Sequence, residues 1–123
     1  MNDCKNILVL DDEKEICLLL SNILKSLHFS AECAYTIAEA EKIIENYPRT
    51  FDAAFVDLNL PDGVGFNLIS KLKQKDERTK IIIISAYDGE AERGKAEEEG
   101  VDYFISKPFN KKLITQALEY LKL

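Results

Sequence analysis

The sequence predicts an α/β fold of five strand–helix units arranged around a parallel sheet. Three observations carry that expectation. Short apolar runs recur along the chain, stretches with helical spacing separate them, and the links between the two are short. Runs such as Ile7-Leu8-Val9-Leu10 and Ile81-Ile82-Ile83-Ile84 are apolar on both faces, as strands buried beneath helices on each side must be.

Strands are expected near 6–10, 31–34, 52–56, 81–85 and 102–106. The first helix, Asp12 to Leu27, aligns Ile16, Leu19, Leu20, Ile23, Leu24 and Leu27 on one face, with acidic residues in its first turn. Thr36 followed by Glu39 forms a capping box for the second helix, whose buried stripe is Ala40, Ile43, Ile44 and Tyr47. Phe66, Leu68, Ile69 and Leu72 mark the third helix. The fifth, from about Asn110, is expected to bury Leu113, Ile114, Ala117, Leu118 and Leu121. The fourth, Asp88 to Glu99, has only Ala91 and Ala96 as apolar anchors and carries Gly94 between them. An interior glycine costs about 1 kcal/mol relative to alanine, so this helix should be the least stable. Crossovers between parallel strands should be right-handed.

A chain of 123 residues with 46% hydrophobic content fits one folded domain, expected to span 1–123, and excludes wholesale disorder. The net charge of −6 argues against direct nucleic-acid contact. A single histidine, His28, rules out a His-rich metal site; it suits a helix end. Cys4, Cys17 and Cys33 show no C-x-x-C spacing and suit a reducing compartment, where they serve as small hydrophobes. Apolar runs fall far short of the roughly 18 residues of a membrane span, and Met1-Asn2-Asp3-Cys4-Lys5 carries no signal-peptide core. A cytoplasmic domain without membrane contact is the expectation.

The ends of the strands carry the chemistry. Asp11-Asp12 closes the first run and Asp57 the third, just before Leu58-Asn59-Leu60-Pro61-Asp62-Gly63; Ser85-Ala86 closes the fourth and Lys107-Pro108 the fifth. In open α/β sheets, ligands bind beyond the carboxyl ends of the strands. Carboxylates gathered there repel one another unless a cation joins them, and a small set of oxygen ligands suits Mg²⁺. A carboxylate can act as a nucleophile and form an aspartyl-phosphate. Lys107 can neutralise phosphoryl oxygens and Ser85 can donate a hydrogen bond to one. Taken singly, each residue has a plainer reading: Asp57 as a turn residue, Asp11-Asp12 as helix caps, Lys107 as a solvated side chain and Glu97-Glu98-Glu99 as a solvated face.

Together these residues resemble the receiver domain of two-component response regulators, in a chemotaxis-regulator-like form, over essentially the whole chain. The resemblance implies a flavodoxin-like, doubly wound (βα)5 sheet in the order 2-1-3-4-5. It implies a phosphorylation-dependent signalling switch that catalyses only its own aspartyl phosphorylation and dephosphorylation, and no metabolic reaction. Asp57 would accept the phosphoryl group. Asp12 would ligate Mg²⁺ directly and Asp11 mainly through water, with Asp57 and the main-chain carbonyl of Asn59 completing the protein ligands. Lys107 and Ser85 would contact the phosphoryl group, as would the main chain of Ala86. The Lys107-Pro108 bond would be cis.

Phe104 stands where the family places its rotating aromatic, and core packing suits it equally. A sensor histidine kinase or histidine phosphotransfer protein would supply the phosphoryl group. The surface of the fourth helix, fifth strand and fifth helix would meet a downstream target or effector domain, with room for a phosphorylation-dependent homodimer. Two departures stand out, Val64 where an acidic residue often precedes the glycine and Phe104 in place of tyrosine, whereas Ser85 in place of threonine is a common family variant.

Three other readings compete. A phosphohydrolase of haloacid-dehalogenase type needs a second aspartate two residues after its nucleophile, where Asn59 stands. A flavodoxin-like cofactor module needs a phosphate loop rich in Ser, Thr and Gly, where Asp11-Asp12-Glu13 stands. A pseudo-receiver that binds partners without phosphorylation would not need the full set of acids, hydroxyl and lysine.

Overall fold

The computed structural model describes residues 5–60, 63–86 and 89–123 of the chain, excepting the side chains of Asn59 and Val64. Cys4, Pro61, Asp62 and Asp88, all named above, therefore lie outside the described residues, as does the side-chain departure at Val64. Five strands form the sheet: β1 (Asn6–Leu10), β2 (Ser30–Ala34), β3 (Ala53–Asp57), β4 (Lys80–Ser85) and β5 (Tyr103–Ser106). Five helices follow them in turn: α1 (Lys14–Ser26), α2 (Ile37–Asn46), α3 (Phe66–Lys75), α4 (Glu90–Glu98) and α5 (Lys111–Tyr120). All pairings in the sheet are parallel and the order is β2-β1-β3-β4-β5. The expected fold class and strand order are both present.

Alternation along the strands divides the core into two layers. Leu8, Leu10, Ala54, Val56, Ile81 and Ile83 face α2, α3 and α4, where Ile44, Leu68, Leu72 and Ala96 meet them. Ile7, Val9, Phe55, Ile82 and Ile84 face α1 and α5, against Leu20, Leu24, Ile114 and Leu118. The four consecutive isoleucines of β4 are therefore each buried, two per layer. Burial of one such side chain contributes about 1.5–3 kcal/mol. This continuous burial explains why β1, β3 and β4 are uninterrupted apolar runs.

Thr36 caps α2 as expected, its side chain accepting the Glu39 N–H at 3.1 Å, while Glu39 Oε1 reaches back one residue beyond the N-cap to accept the Tyr35 N–H at 2.8 Å. Asn110 caps α5 in the same way, accepting the Leu113 N–H at 2.9 Å. His28 lies just past the end of α1 with φ 71°, its N–H bonded to the Lys25 carbonyl at 3.0 Å. That is the helix-end position expected of it. Among the described residues no helix is long and apolar enough to cross a membrane.

Four local expectations need correction. Leu19 is 45% exposed and Leu113 is 39% exposed. In α1 the buried arc centres on Cys17, Leu20 and Leu24; Leu19 stands about 100° from Leu20 and falls off its edge. In α5 the arc is Ile114, Ala117 and Leu118, which leaves Leu113 at its margin. Ala91 is exposed, so Ala96 is the one buried residue of α4. Neither Asp11 nor Asp12 caps α1. Its N-cap is Glu13, which makes no side-chain capping bond, and Asp11 Oδ1 instead accepts the Glu13 N–H at 2.9 Å ahead of the helix. The turn after β3 also contains a two-residue antiparallel ribbon, Asn59–Leu60 with Gly63–Val64, which the periodicity did not signal.

Candidate functional site

β1 pairs with β2 on one side and β3 on the other, so the chain leaves their ends in opposite directions and opens a crevice there. Asp11 follows β1 into that crevice, anchored by its N–H on the Ala34 carbonyl at 3.1 Å. Asp57 is the last residue of β3, paired in register with Ile84 of β4. Asp11 and Asp57 are both buried, whereas Asp12 is exposed at the mouth. One carboxylate oxygen from each of the three lies within 4.8 Å of the others.

Lys107 enters from β5. Its N–H donates to the Ser85 carbonyl at 2.8 Å, and the cis Lys107–Pro108 bond follows, as the resemblance implied. Its Nζ lies 2.8 Å from Asp11 Oδ2, 3.2 Å from Glu13 Oε1 and 3.5 Å from Asp57 Oδ2. With 12% side-chain exposure, this ammonium is an internal counter-charge.

Burial, the strongest influence on Asp11, pushes its carboxyl above the usual carboxylate range despite the neighbouring Lys107. Burial also works against the Lys107 ammonium, but contact with Asp11 and the fields of Asp57 and Asp11 outweigh it and hold the lysine above its ordinary value. The Lys107 shift shows the surplus of carboxylates around one ammonium, and the Asp11 shift shows the cost of burying one of them. Asp11 Oδ2 shows the same imbalance, since it is buried and receives no hydrogen bond among the described residues, Lys107 being near in distance but poorly aimed. Hard oxygen donors, surplus negative charge and an unsatisfied buried oxygen fit a small divalent cation.

Ser85 ends β4, fully buried, in register with Ser106. Ala86 follows it, exposed, at the start of the loop to α4. Asn59 lies two residues past Asp57 in the antiparallel ribbon. That ribbon is held close by Gly65, whose N–H donates to the Leu58 carbonyl at 3.0 Å. A Cβ on Gly65 would sit 2.2 Å from the Asp57 carbonyl oxygen, so only glycine lets the loop fold back against the end of β3.

Phe104 is half-buried on β5 and packs on the layer beneath α4. The Arg93 guanidinium of α4 covers its ring at 4.5 Å, and Arg93 Nη2 donates to Ser106 Oγ at 3.2 Å. Glu13 and Arg93 were not singled out from the sequence. Glu13 had one signal, its place in the acidic triplet after β1; Arg93 had none.

The residues 7–119 match the family model described as the response regulator receiver domain. The chain is 36% identical over 106 residues to the response regulator GtcR of Aneurinibacillus migulanus, covering 86% of this chain and 43% of that protein. It is 29% identical to the photosynthetic apparatus regulatory protein RegA of Rhodovulum sulfidophilum, covering 92% of this chain and 61% of that one. The chain thus spans less than the full length of these curated relatives. Among solved structures, a CheY-like receiver domain protein from Methanospirillum hungatei superposes with a TM-score of 0.87 at 30% identity, covering 98% of this chain and 95% of that one. A response regulator from Burkholderia pseudomallei, solved with a phosphorylated aspartic acid, a calcium ion and citrate, gives 0.84 at 29% identity, covering 93% and 66%. With the fold, the order of its strands and the match across nearly its whole length in agreement, this chain belongs to the response regulator receiver domain family.

Proposed function

We propose that residues 1–123 form one receiver unit, a cytoplasmic switch whose Asp57 takes a phosphoryl group from a histidine kinase or histidine phosphotransfer protein. The observation that carries this reading is the gathering of Asp57, Asp11, Asp12 and Lys107 at one end of the sheet. Family membership supports phosphorylation-dependent signalling, and the Burkholderia relative was solved with a phosphorylated aspartic acid and a calcium ion. Asp12, Asp11, Asp57 and the Asn59 carbonyl would hold Mg²⁺. When bound, that ion neutralises phosphoryl oxygens and draws charge off the transferring group.

In the transfer, an Asp57 carboxylate oxygen attacks phosphorus and the P–N bond to the donor imidazole breaks. The imidazole leaves with the electron pair and is protonated, and a 4-aspartylphosphate remains. Lys107 faces the new charge, and Ser85 and the Ala86 main chain would meet the other phosphoryl oxygens. In hydrolysis water attacks phosphorus, the P–O bond to Asp57 breaks, and inorganic phosphate and the carboxylate are released.

The output surface is assigned to α4, β5 and α5. α4 is held by one buried residue and by Arg93 on Phe104, and weakly anchored elements are those that move in switching. A groove of about 430 Å³ lined by Phe104, Ser106, Lys107 and Leu113 runs from the site lysine onto this face. A downstream protein, an effector domain or a second phosphorylated copy would bind there; nucleic acid and membrane would not be direct partners. The test is phosphotransfer from the kinases of the same cell, with hydrogen exchange of residues 86–106 followed in parallel with and without beryllofluoride. Rapid Mg²⁺-dependent uptake from one kinase and altered exchange across that segment are expected. Uptake from none would remove the switch reading, and exchange changes confined to Asp12 and Asp57 would move the output elsewhere.

A further inference from the structure

Glu13 occupies the N-cap of α1, yet its carboxylate serves none of the first-turn amides. It reaches across the crevice to Lys107, Oε1 lying 3.2 Å from Nζ, between residues 94 apart in sequence. Its backbone is held firmly: the N–H donates to Asp11 Oδ1 at 2.9 Å, and the carbonyl accepts the Ile16 and Cys17 N–H groups at 3.1 Å. Its side chain is 60% exposed. Lys107 therefore has three carboxylate partners of two kinds. Asp11 and Asp57 are buried at strand ends and cannot withdraw, whereas Glu13 can swing into water at little cost.

The three distances are unequal. Nζ is nearer to Asp11 and to Glu13 than to Asp57. The lysine donates to Asp57 Oδ2 only at the long distance of 3.5 Å, while Glu13 Oε1 takes a shorter bond from the same ammonium on the β1 side of the crevice. Of the two acids on that side, Glu13 is the one a conformational step can release.

We propose that Glu13 is a positioning residue that competes with Asp57 for Lys107 in the unphosphorylated protein, keeping the Lys107–Asp57 contact long, and must release the lysine as a phosphoryl group arrives. Phosphoryl uptake then includes the breaking of the Glu13–Lys107 pair, and Glu13 acts as a brake on it. This rests on the reading of Asp57 as phosphoacceptor. Ion pairs with one exposed partner shift equilibria by only a few-fold, so the brake should be of that size.

Two variants separate the tether from plain charge. Glu13→Gln removes the charge that holds the ammonium. Glu13→Asp keeps the charge, but its side chain is one methylene shorter and falls short of Lys107 from a backbone that is fixed. Labelling at Asp57 is followed by rapid-quench intact mass with Mg²⁺ and acetyl phosphate, over a range of donor concentrations, and repeated with the less charged phosphoramidate. Both variants should label about two- to five-fold faster at saturating donor, with either donor and with little change in the half-saturating concentration. A purely structural role would not move the maximal rate upward. Acceleration by Glu13→Gln alone, seen in half-saturation and only with acetyl phosphate, would make Glu13 a repulsive charge and overturn the tether. Equal rates in all three proteins would overturn it as well. Failure of the wild-type protein to label at Asp57 would remove the underlying reading together with the inference, a result distinct from equal rates.

Discussion

Lys107 Nζ donates to Asp57 Oδ2 at 3.5 Å and stands 2.8 Å from Asp11 Oδ2 without being aimed at it, so the lysine of the crevice is shared between the acid that ends β3 and the acid after β1. Both acids are buried, and the ammonium is what permits their negative charge at the end of an apolar sheet. Its removal should be felt in the metal-free protein. Lys107→Met is expected to cost about 2 kcal/mol in chelator, below the usual cost of breaking a buried pair because the crevice opens to water. Saturating Mg²⁺ should stabilise the variant more than the wild type, since the ion supplies the missing charge. Denaturant melts with chelator and with Mg²⁺ check both points, and an unchanged midpoint in chelator would show that the pair contributes nothing.

Gly65 sets a steric limit beside Asp57. A Cβ there would lie 2.2 Å from the Asp57 carbonyl oxygen and 2.7 Å from Val56 Cγ1, and the first of these is backbone that cannot step aside. Gly65→Ala is expected to cost about 3 kcal/mol, at the upper end of overpacking effects, and to slow labelling at Asp57 by displacing it. A variant with wild-type stability and wild-type labelling would mean the loop has slack that the geometry does not suggest.

Gly94 is the opposite case. It lies inside α4 and a Cβ there would meet nothing within 4 Å. Gly94→Ala should therefore stabilise the protein by about 1 kcal/mol through helix propensity alone. At this chain length that is roughly 3–5 °C in melting temperature. Calorimetry decides it; no gain would mean that α4 is already pinned by contacts other than Ala96 and Arg93.

These two glycines show what could be read in advance. β1, β3 and β4 were legible because strands buried on both faces leave unbroken apolar runs, and Asp57 was legible because it ends such a run ahead of a turn. The sparse anchoring of α4 was legible from Ala91, Gly94 and Ala96. Its cause was only half right, since Ala91 faces water. Leu19 and Leu113 were misplaced because helical spacing defines a stripe wider than the arc that a sheet covers. The contacts of Glu13 with Lys107 and of Arg93 with Phe104 were not legible. They depend on which strand ends become neighbours, and no local pattern encodes that.

The two described cysteines lie between α1 and β2. Cys17 is buried with its Sγ 3.3 Å from the Asp11 carbonyl, and the Cys33 Sγ is 3.7 Å from the Cys17 carbonyl. The neighbouring Cys17 thiol, more than any other influence, pulls Cys33 below the ordinary thiol range, while its own pairing with Cys33 and burial push Cys17 up. In a Cys4→Ser background, alkylation of Cys33 should rise with pH to half its maximal rate below the ordinary thiol value of about 8.5, while Cys17 stays silent in the native protein. Cys17→Ala should move that midpoint up, toward the ordinary thiol value of about 8.5. An unmoved midpoint would mean that the shift does not come from Cys17.

Asp57 as the single phosphoacceptor is the claim on which the proposed switch depends, and intact mass after acetyl phosphate and Mg²⁺ tests it most directly. The wild-type protein should gain one phosphoryl group, lose it on removal of the donor faster with Mg²⁺ than with chelator, and yield a peptide modified at Asp57. Asp57→Asn should gain none. Undiminished labelling of Asp57→Asn, at Asp11, Asp12, His28 or elsewhere, would contradict the assignment.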